Sequence, residues 1–236
     1  MIFAIDYTTE EKRQIDIFKS LSDDEMKGYW EKTHDGELID LKARIKSHYL
    51  EAQNYTCPYC QQTVEVKNKA AWDAEHIIPK DSHPSFMFEA KNLCISCKDC
   101  NLSKLNQNVL VNKKRKTFPD CKEDYIISHP HFDNYDSDIK IIALAAFYLP
   151  KTEKGRKTVE ICGLLRFLYK FADYDCNSKD VDERIGALYT ELMETKDAVQ
   201  RHFLLAAISK IADEGANAQM ERAMSRRFAD PTPTAA

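Results

Sequence analysis

The sequence predicts an α+β chain, mostly helical, built around one small zinc-bound module. Three observations carry that expectation: two matched Cys-x2-Cys pairs, Cys57/Cys60 and Cys97/Cys100; short β-branched runs between them; and apolar stripes at helical spacing on either side. With 236 residues the chain can hold one or two domains. Its 43% apolar and 31% charged content, with only 6 Gly and 8 Pro, excludes a disordered or fibrous protein.

Thr8 or Thr9 followed by Glu11 reads as a helix start, and Glu37 to Gln53 as an amphipathic helix with Leu38, Leu41, Ile45 and Tyr49 on one face. Residues 1–53 are therefore expected to form an N-terminal helical region. The zinc-bound module is expected over 54–118. Inside it the alternation of Thr63, Val64, Glu65 and Val66 suggests one strand and Glu75 to Pro79 another, with a hairpin around the first cysteine pair. Asn101-Leu-Ser-Lys104 opens a short helix. Repeated Asp and Pro then break the periodicity, so 119–138 is expected as a linker or docking segment. The stripes Ile161, Leu164, Leu165, Leu168, Phe171, then Ile185, Leu188, Leu192, then Val199, Phe203, Ala207, Ile211 make 139–228 a C-terminal helical region. The tail 229–236 has nothing to bury and is expected to be disordered.

No basic segment followed by a long apolar stretch opens the chain, and the run Ile141 to Leu149 is about half a membrane span. A cytoplasmic protein without membrane contact is expected, and its eight cysteines should stay reduced. Close cysteine pairs then read as metal ligands. The net charge of −4 excludes a protein that coats nucleic acid over its whole surface. Locally, residues 91–120 carry Lys91, Lys98, Lys104, Lys113, Lys114, Arg115 and Lys116 against Asp99 and Asp120, seven positives less two negatives, or +5. A run of this kind either solvates a loop or contacts phosphates.

Each Cys-x2-Cys spacing lets one turn point two sulfurs at a common tetrahedral ion, so Cys57, Cys60, Cys97 and Cys100 are expected to bind one Zn²⁺. Four thiolates leave no open coordination position, which makes that zinc structural. Cys94, Cys121, Cys162 and Cys176 lack paired spacing and are assigned to packing.

Between the cysteine pairs lies Trp72-Asp-Ala-Glu-His-Ile-Ile-Pro79, then Lys91-Asn-Leu93, then Cys97-Lys-Asp-Cys-Asn-Leu-Ser-Lys104. This order resembles the HNH (ββα-metal, His-Me finger) endonucleases, over roughly residues 54–104. The resemblance implies a ββα-metal finger flanked by the helical regions, and a phosphodiester hydrolase with DNA as its expected substrate. His76 would be the general base, an imidazole being suited to take a proton from water near neutral pH. Glu75 and Asn101 would offer oxygen ligands to a catalytic Mg²⁺ or Mn²⁺. Asn92 would hydrogen-bond across the finger to fix the loop carrying His76. Asp73, two residues before Glu75 on a strand, shares its face and is a second-tier ligand. Lys104, Lys113, Lys114 and Arg115 are candidate phosphate contacts. Two positions depart from the commonest pattern: Glu75 stands where many members carry Asp, and Asn101 where many carry His.

The later stretch Ile126-Ile-Ser-His-Pro-His-Phe-Asp133 is similar to a segment of HNH proteins from bacterial phage-defence operons, especially the PtuB-type subunit of Septu systems and related retrons. It implies an anti-phage effector with an ATPase partner of the PtuA type, His129, His131 and Asp133 near a substrate groove, and the C-terminal region as a docking surface. Two other readings stay open: an RNA-cleaving HNH nuclease, and a non-catalytic zinc module that only binds nucleic acid.

Overall fold

The computed structural model describes residues 2–64, 69–170 and 178–227. It is α+β and mostly helical, as the sequence predicts. Two compact units are formed, the first from Met1–Ile139 with Pro150–Leu164, the second from Lys140–Leu149 with Leu165–Ala236. Among the described residues no helix is long and apolar enough to cross a membrane.

In the first unit, α1 (Thr9–Lys19) begins at Thr8, whose hydroxyl accepts from Glu11 N while Glu11 returns a carboxylate to Thr8 N. This reciprocal cap satisfies two amides that a helix start otherwise leaves bare. After the short α2 (Asp23–Met26) and a 3₁₀ turn at Tyr29–Glu31 comes α3 (Gly36–Ala52), capped by Asp35. It buries Leu38, Leu41, Ile45 and Tyr49, the face expected from their spacing.

The next elements form a small ββα unit. Strand β1 (Trp72–His76) pairs antiparallel with β2 (Leu93–Cys97), and α4 (Lys98–Lys104) follows without a loop. In register, Trp72 faces Cys97 and His76 faces Leu93. The strand expected at Glu75 to Pro79 instead runs Trp72–His76, and the Asn92 side chain takes both backbone groups of Ile78, which are then not available to a ladder. Around the first cysteine pair a hairpin does form, with a bridge between Thr56 and Thr63. Glu65 and Val66 lie outside the described residues.

A two-stranded sheet has a free edge on each side. On β2 that edge is covered by one side chain: Gln53, just past α3, donates to Ile95 O at 2.8 Å and accepts from Ile95 N at 2.7 Å. The amide copies the hydrogen bonding of a missing strand and fastens α3 to the ββα unit.

The stretch 119–138 is not a linker. Ile126 N donates to Val109 O, Val111 N to Asp124 O, and Leu110 bridges Tyr125. Tyr125, Ile127, His129 and His131 are buried, so an apparently polar sequence packs by spending its polar atoms on backbone partners. It leads through α5 (Tyr135–Asp138) towards β3 (Ile139–Ile142), β4 (Phe147–Pro150) and α6 (Glu153–Ile161).

The second unit holds most of β3 and β4, then α7 (Arg166–Lys170), α8 (Ser178–Glu194) and α9 (Ala198–Arg227). Its core joins Ile142, Phe147 and Leu149 to Leu168, Leu188, Leu192, Leu204, Ala207 and Ile211. The paired strands correct the expectation of helix from 139 onward: β-branched Ile139, Ile141 and Ile142 favour extended backbone, and Ala146 turns between the strands at φ 48°. Val199 is exposed, and Leu204 takes the core place expected of its stripe. Phe171 and the tail 229–236 lie outside the described residues.

Gln53→Ala is expected to lower folding stability by roughly 2–4 kcal/mol, since it orphans both backbone groups of buried Ile95. Denaturant unfolding of wild type and variant checks this; equal midpoints would contradict the role given to the amide.

Candidate zinc clamp and histidine site

The chain turns sharply after α3, with Asn54, Tyr55 and Gln61 at positive φ, and this folds Cys57 and Cys60 into a knuckle closed by Cys57 N to Gln62 O and Gln61 N to Cys57 O. Cys97 ends β2 and Cys100 lies in the first turn of α4. All four sulfurs fall within 4.8 Å of one another, and Cys60 Sγ and Cys97 Sγ are 3.8 Å apart. A tetrahedron with Zn–S bonds of about 2.3 Å has edges of about 3.8 Å, so the cluster has the dimensions of a Zn²⁺ site. Four thiolates at such spacing, three of them buried and Cys97 half-buried, repel unless a cation sits among them. The donor set therefore fits zinc. Of the remaining cysteines, Cys94 and Cys162 are buried as packing residues, Cys121 is exposed, and Cys176 is outside the described residues.

The pleat of β1 puts Asp73 and Glu75 on the face covered by α4. Asp73 accepts from Asn101 Nδ2 at 3.0 Å and pairs with Lys98 at 2.8 Å. Glu75, 5% exposed, pairs with Lys104 at 2.5 Å. Burial pushes the Glu75 carboxyl above its ordinary range while Lys104 pulls it back. The sequence-derived trio Asp73, Glu75 and Asn101 thus meets on one face.

Lys104 departs from its expected role. It is wholly buried and its ammonium also donates to His76 O at 3.0 Å, so it cannot reach out to a phosphate. Other positives of the basic run are also engaged: Lys91 with Asp120, and Arg115 with Asp124 at 2.5 Å. Lys113, Lys114 and Lys116 remain exposed, without an ion pair among the described residues.

His76 ends β1. Its Nε2 lies 3.1 Å from Met87 O, and because a carbonyl only accepts, Nε2 carries the proton. Nδ1 is then the nitrogen with the open lone pair, and no described residue donates to it. Burial, with Lys80 and Lys104 nearby, lowers the imidazole pKa to about 3, so the ring is neutral at physiological pH. Asn92 is fully buried and makes three bonds across the loop that follows: it accepts from Ile78 N at 2.7 Å and donates to Ile78 O and Phe86 O.

Residues that sequence reading missed also surround the imidazole. Trp30 meets it edge to face with ring centroids 4.6 Å apart. Lys80 is held by Glu31 at 2.7 Å, and Asp81 accepts from Asn106 at 2.7 Å. Lys80 and Asp81 follow the His-Ile-Ile-Pro run directly and were open to inference from that position; nothing in the local sequence marks Trp30. His129 and His131 are buried and Asp133 is half-buried, and His129 and Asp133 line a groove together with Gln53, Lys122 and Tyr135. His131 Nε2 donates to Leu93 O, His131 N donates to His129 Nδ1, and Asp133 accepts from His129 N and Lys154. His131 thereby ties this stretch to β2.

No family model matches the chain, and no solved structure matches it. Among curated proteins it is similar to the Septu protein PtuB of Bacillus thuringiensis, 30% identical over 144 residues. The match takes in 61% of this chain and 50% of that protein, so the chain spans about half the length of the relative.

Two outcomes follow from these burials. Burial depresses the pKa values of His76, His129 and His131, so below about pH 6.5 the unfolded chain takes up protons that the folded chain refuses. Stability should be complete above that pH and fall on acidification, with His76 contributing up to about 1.4 kcal/mol per pH unit well below pH 6.5; a flat urea midpoint between pH 6.5 and 5 would contradict it. Lys104→Met should cost roughly 3–5 kcal/mol by leaving the Glu75 carboxylate alone, and Glu75→Leu added to it should restore much of the loss. Additive losses in the double variant would speak against the pair.

Proposed function

We propose that the chain is an HNH-type metal-dependent endonuclease that hydrolyses phosphodiester bonds in DNA. The observation that carries this reading is the neutral His76, with Nε2–H committed to Met87 O and Nδ1 free, at the end of the strand that also carries Asp73 and Glu75, in a ββα unit completed by Asn101. A neutral imidazole held in one tautomer, in the same ββα unit as hard oxygen donors, suits proton transfer from a water whose acidity a bound divalent ion would raise.

His76 Nδ1 takes a proton from the attacking water. Asn92 holds the loop after His76 so that the base keeps its place. Asp73, Glu75 and the Oδ1 of Asn101 would hold Mg²⁺ or Mn²⁺; hard oxygens are the donors such ions prefer, and Asn101 turns its nitrogen to Asp73 and leaves Oδ1 without a described donor. That ion, when bound, supplies Lewis-acid neutralisation of the charge developing on the leaving oxygen. Glu75 can join only when Lys104 yields, which suits an effector of low basal activity. The zinc of the four cysteines is structural. Lys113 and Lys114 offer exposed phosphate contacts, Arg115 being tied to Asp124.

Similarity to PtuB supports a role in a Septu-type anti-phage system beside a PtuA-type ATPase, and the proposed location is the cytoplasm. The second unit, with Tyr189, Met193 and Leu205 exposed on its helices, is the proposed docking region.

The test is cleavage of plasmid DNA and total RNA by wild type and His76→Ala, with Mg²⁺, Mn²⁺ or EDTA, alone and with the co-encoded ATPase. DNA cutting that requires the metal and drops by about 10²–10⁴ in the variant is the expected result. Cutting of RNA alone would move the substrate assignment, and nucleic-acid binding without cutting under any condition would make the module non-catalytic.

A further inference from the structure

The imidazole of His76 is short and turns about two bonds. The bond from Nε2–H to Met87 O fixes one atom of the ring and leaves its plane free to rock about that contact. A second restraint comes from outside the ββα unit. The Trp30 ring stands at 86° to the imidazole with centroids 4.6 Å apart, and packs at 5.8 Å on Phe88, the residue after Met87. One indole thus touches both the base and the neighbour of the carbonyl that orients it.

Trp30 is itself held. Lys42 Nζ, on α3, donates to Trp30 O at 3.0 Å and to Lys32 O at 3.1 Å. Tyr29, one residue earlier, joins Phe18 and Phe88 in an aromatic cluster. Glu31, one residue later, pairs with Lys80. Three successive residues of the 3₁₀ turn at Tyr29–Glu31 are therefore tied to the elements that frame His76. An isolated aromatic filling space would not need its backbone and both neighbours fastened in this way.

We propose that Trp30 is a positioning residue for His76: together with Met87 O it fixes the imidazole plane, so that Nδ1 keeps a single direction. The functional part of this inference rests on the nuclease reading, since the direction of Nδ1 matters only if that nitrogen is the base. On that reading the N-terminal region is a wall of the active site and not a separate module. Displacement of a catalytic group by about 1 Å costs on the order of 10²-fold in rate, which sets the scale of the effect.

The test compares full-length wild type, Trp30→Ala, Trp30→Leu and Trp30→Phe in two measurements. Long-range ¹H–¹⁵N correlation spectra near pH 7 read the His76 tautomer without any substrate. Wild type and Trp30→Phe should show the Nε2–H form alone, and Trp30→Ala an averaged or mixed ring. Steady-state cleavage should show kcat lower by roughly 10–100-fold in Trp30→Ala with KM changed less than about 2-fold, and recovery to within about 3-fold in Trp30→Phe. Where Trp30→Ala does not fold, Trp30→Leu, which fills the space without a ring edge, gives the same two readings. A folded ring-less variant with the wild-type tautomer, or with wild-type kcat, overturns the proposal. A changed tautomer in a protein that never cuts nucleic acid would leave the positioning in place and remove the nuclease reading, so the two failures are distinguishable.

Discussion

The first unit depends on one constraint: four cysteine sulfurs from two distant stretches of chain must share a space of less than 5 Å. Two come from the knuckle after α3 and two from the junction of β2 with α4. Without a cation that arrangement is repulsive; with one it joins segments about 40 residues apart and helps offset the entropy of the loop it closes. The loop contains β1, His76 and Asn92. Through it, the geometry of the histidine site is inherited from the clamp.

Around that clamp the protein spends its charges inwardly. A local excess of basic residues suggests a surface for phosphates, yet Lys104 is buried on Glu75, and Lys91, Lys98 and Arg115 are paired with nearby carboxylates. Lys104 is the clearest case. Its ammonium neutralises a carboxylate that burial would otherwise drive towards protonation, and it also fixes the carbonyl of His76. Buried ion pairs of this kind specify geometry more than they add stability.

Much of this was legible in the sequence, because ligand spacing and helical periodicity are local properties. The cysteine pairs, the buried face of α3 and the cap near Thr8 follow from spacing, whereas the grouping of Glu75 with Asn101 is implied by the resemblance to HNH endonucleases and only Asp73 is added from strand spacing. What was not legible depends on contacts far apart in the chain. A lysine three residues after Asn101 reads the same whether it faces solvent or a buried glutamate. The stretch 119–138 looks like a linker because its polar atoms are many, and only the fold reveals that they bond to Leu93, Thr158 and one another. Trp30 is 46 positions from His76 and carries no local signature. The β3–β4 pair was hidden for a different reason: short apolar runs fit a buried helix and a buried strand equally well.

The central claim is that a single tetrahedral four-thiolate zinc organises the histidine site. Zinc K-edge X-ray absorption on the purified full chain tests it most directly. One zinc per chain with four sulfur neighbours at about 2.3 Å is the predicted result. Nitrogen or oxygen scatterers in the first shell, or a folded chain that holds no metal, would contradict it.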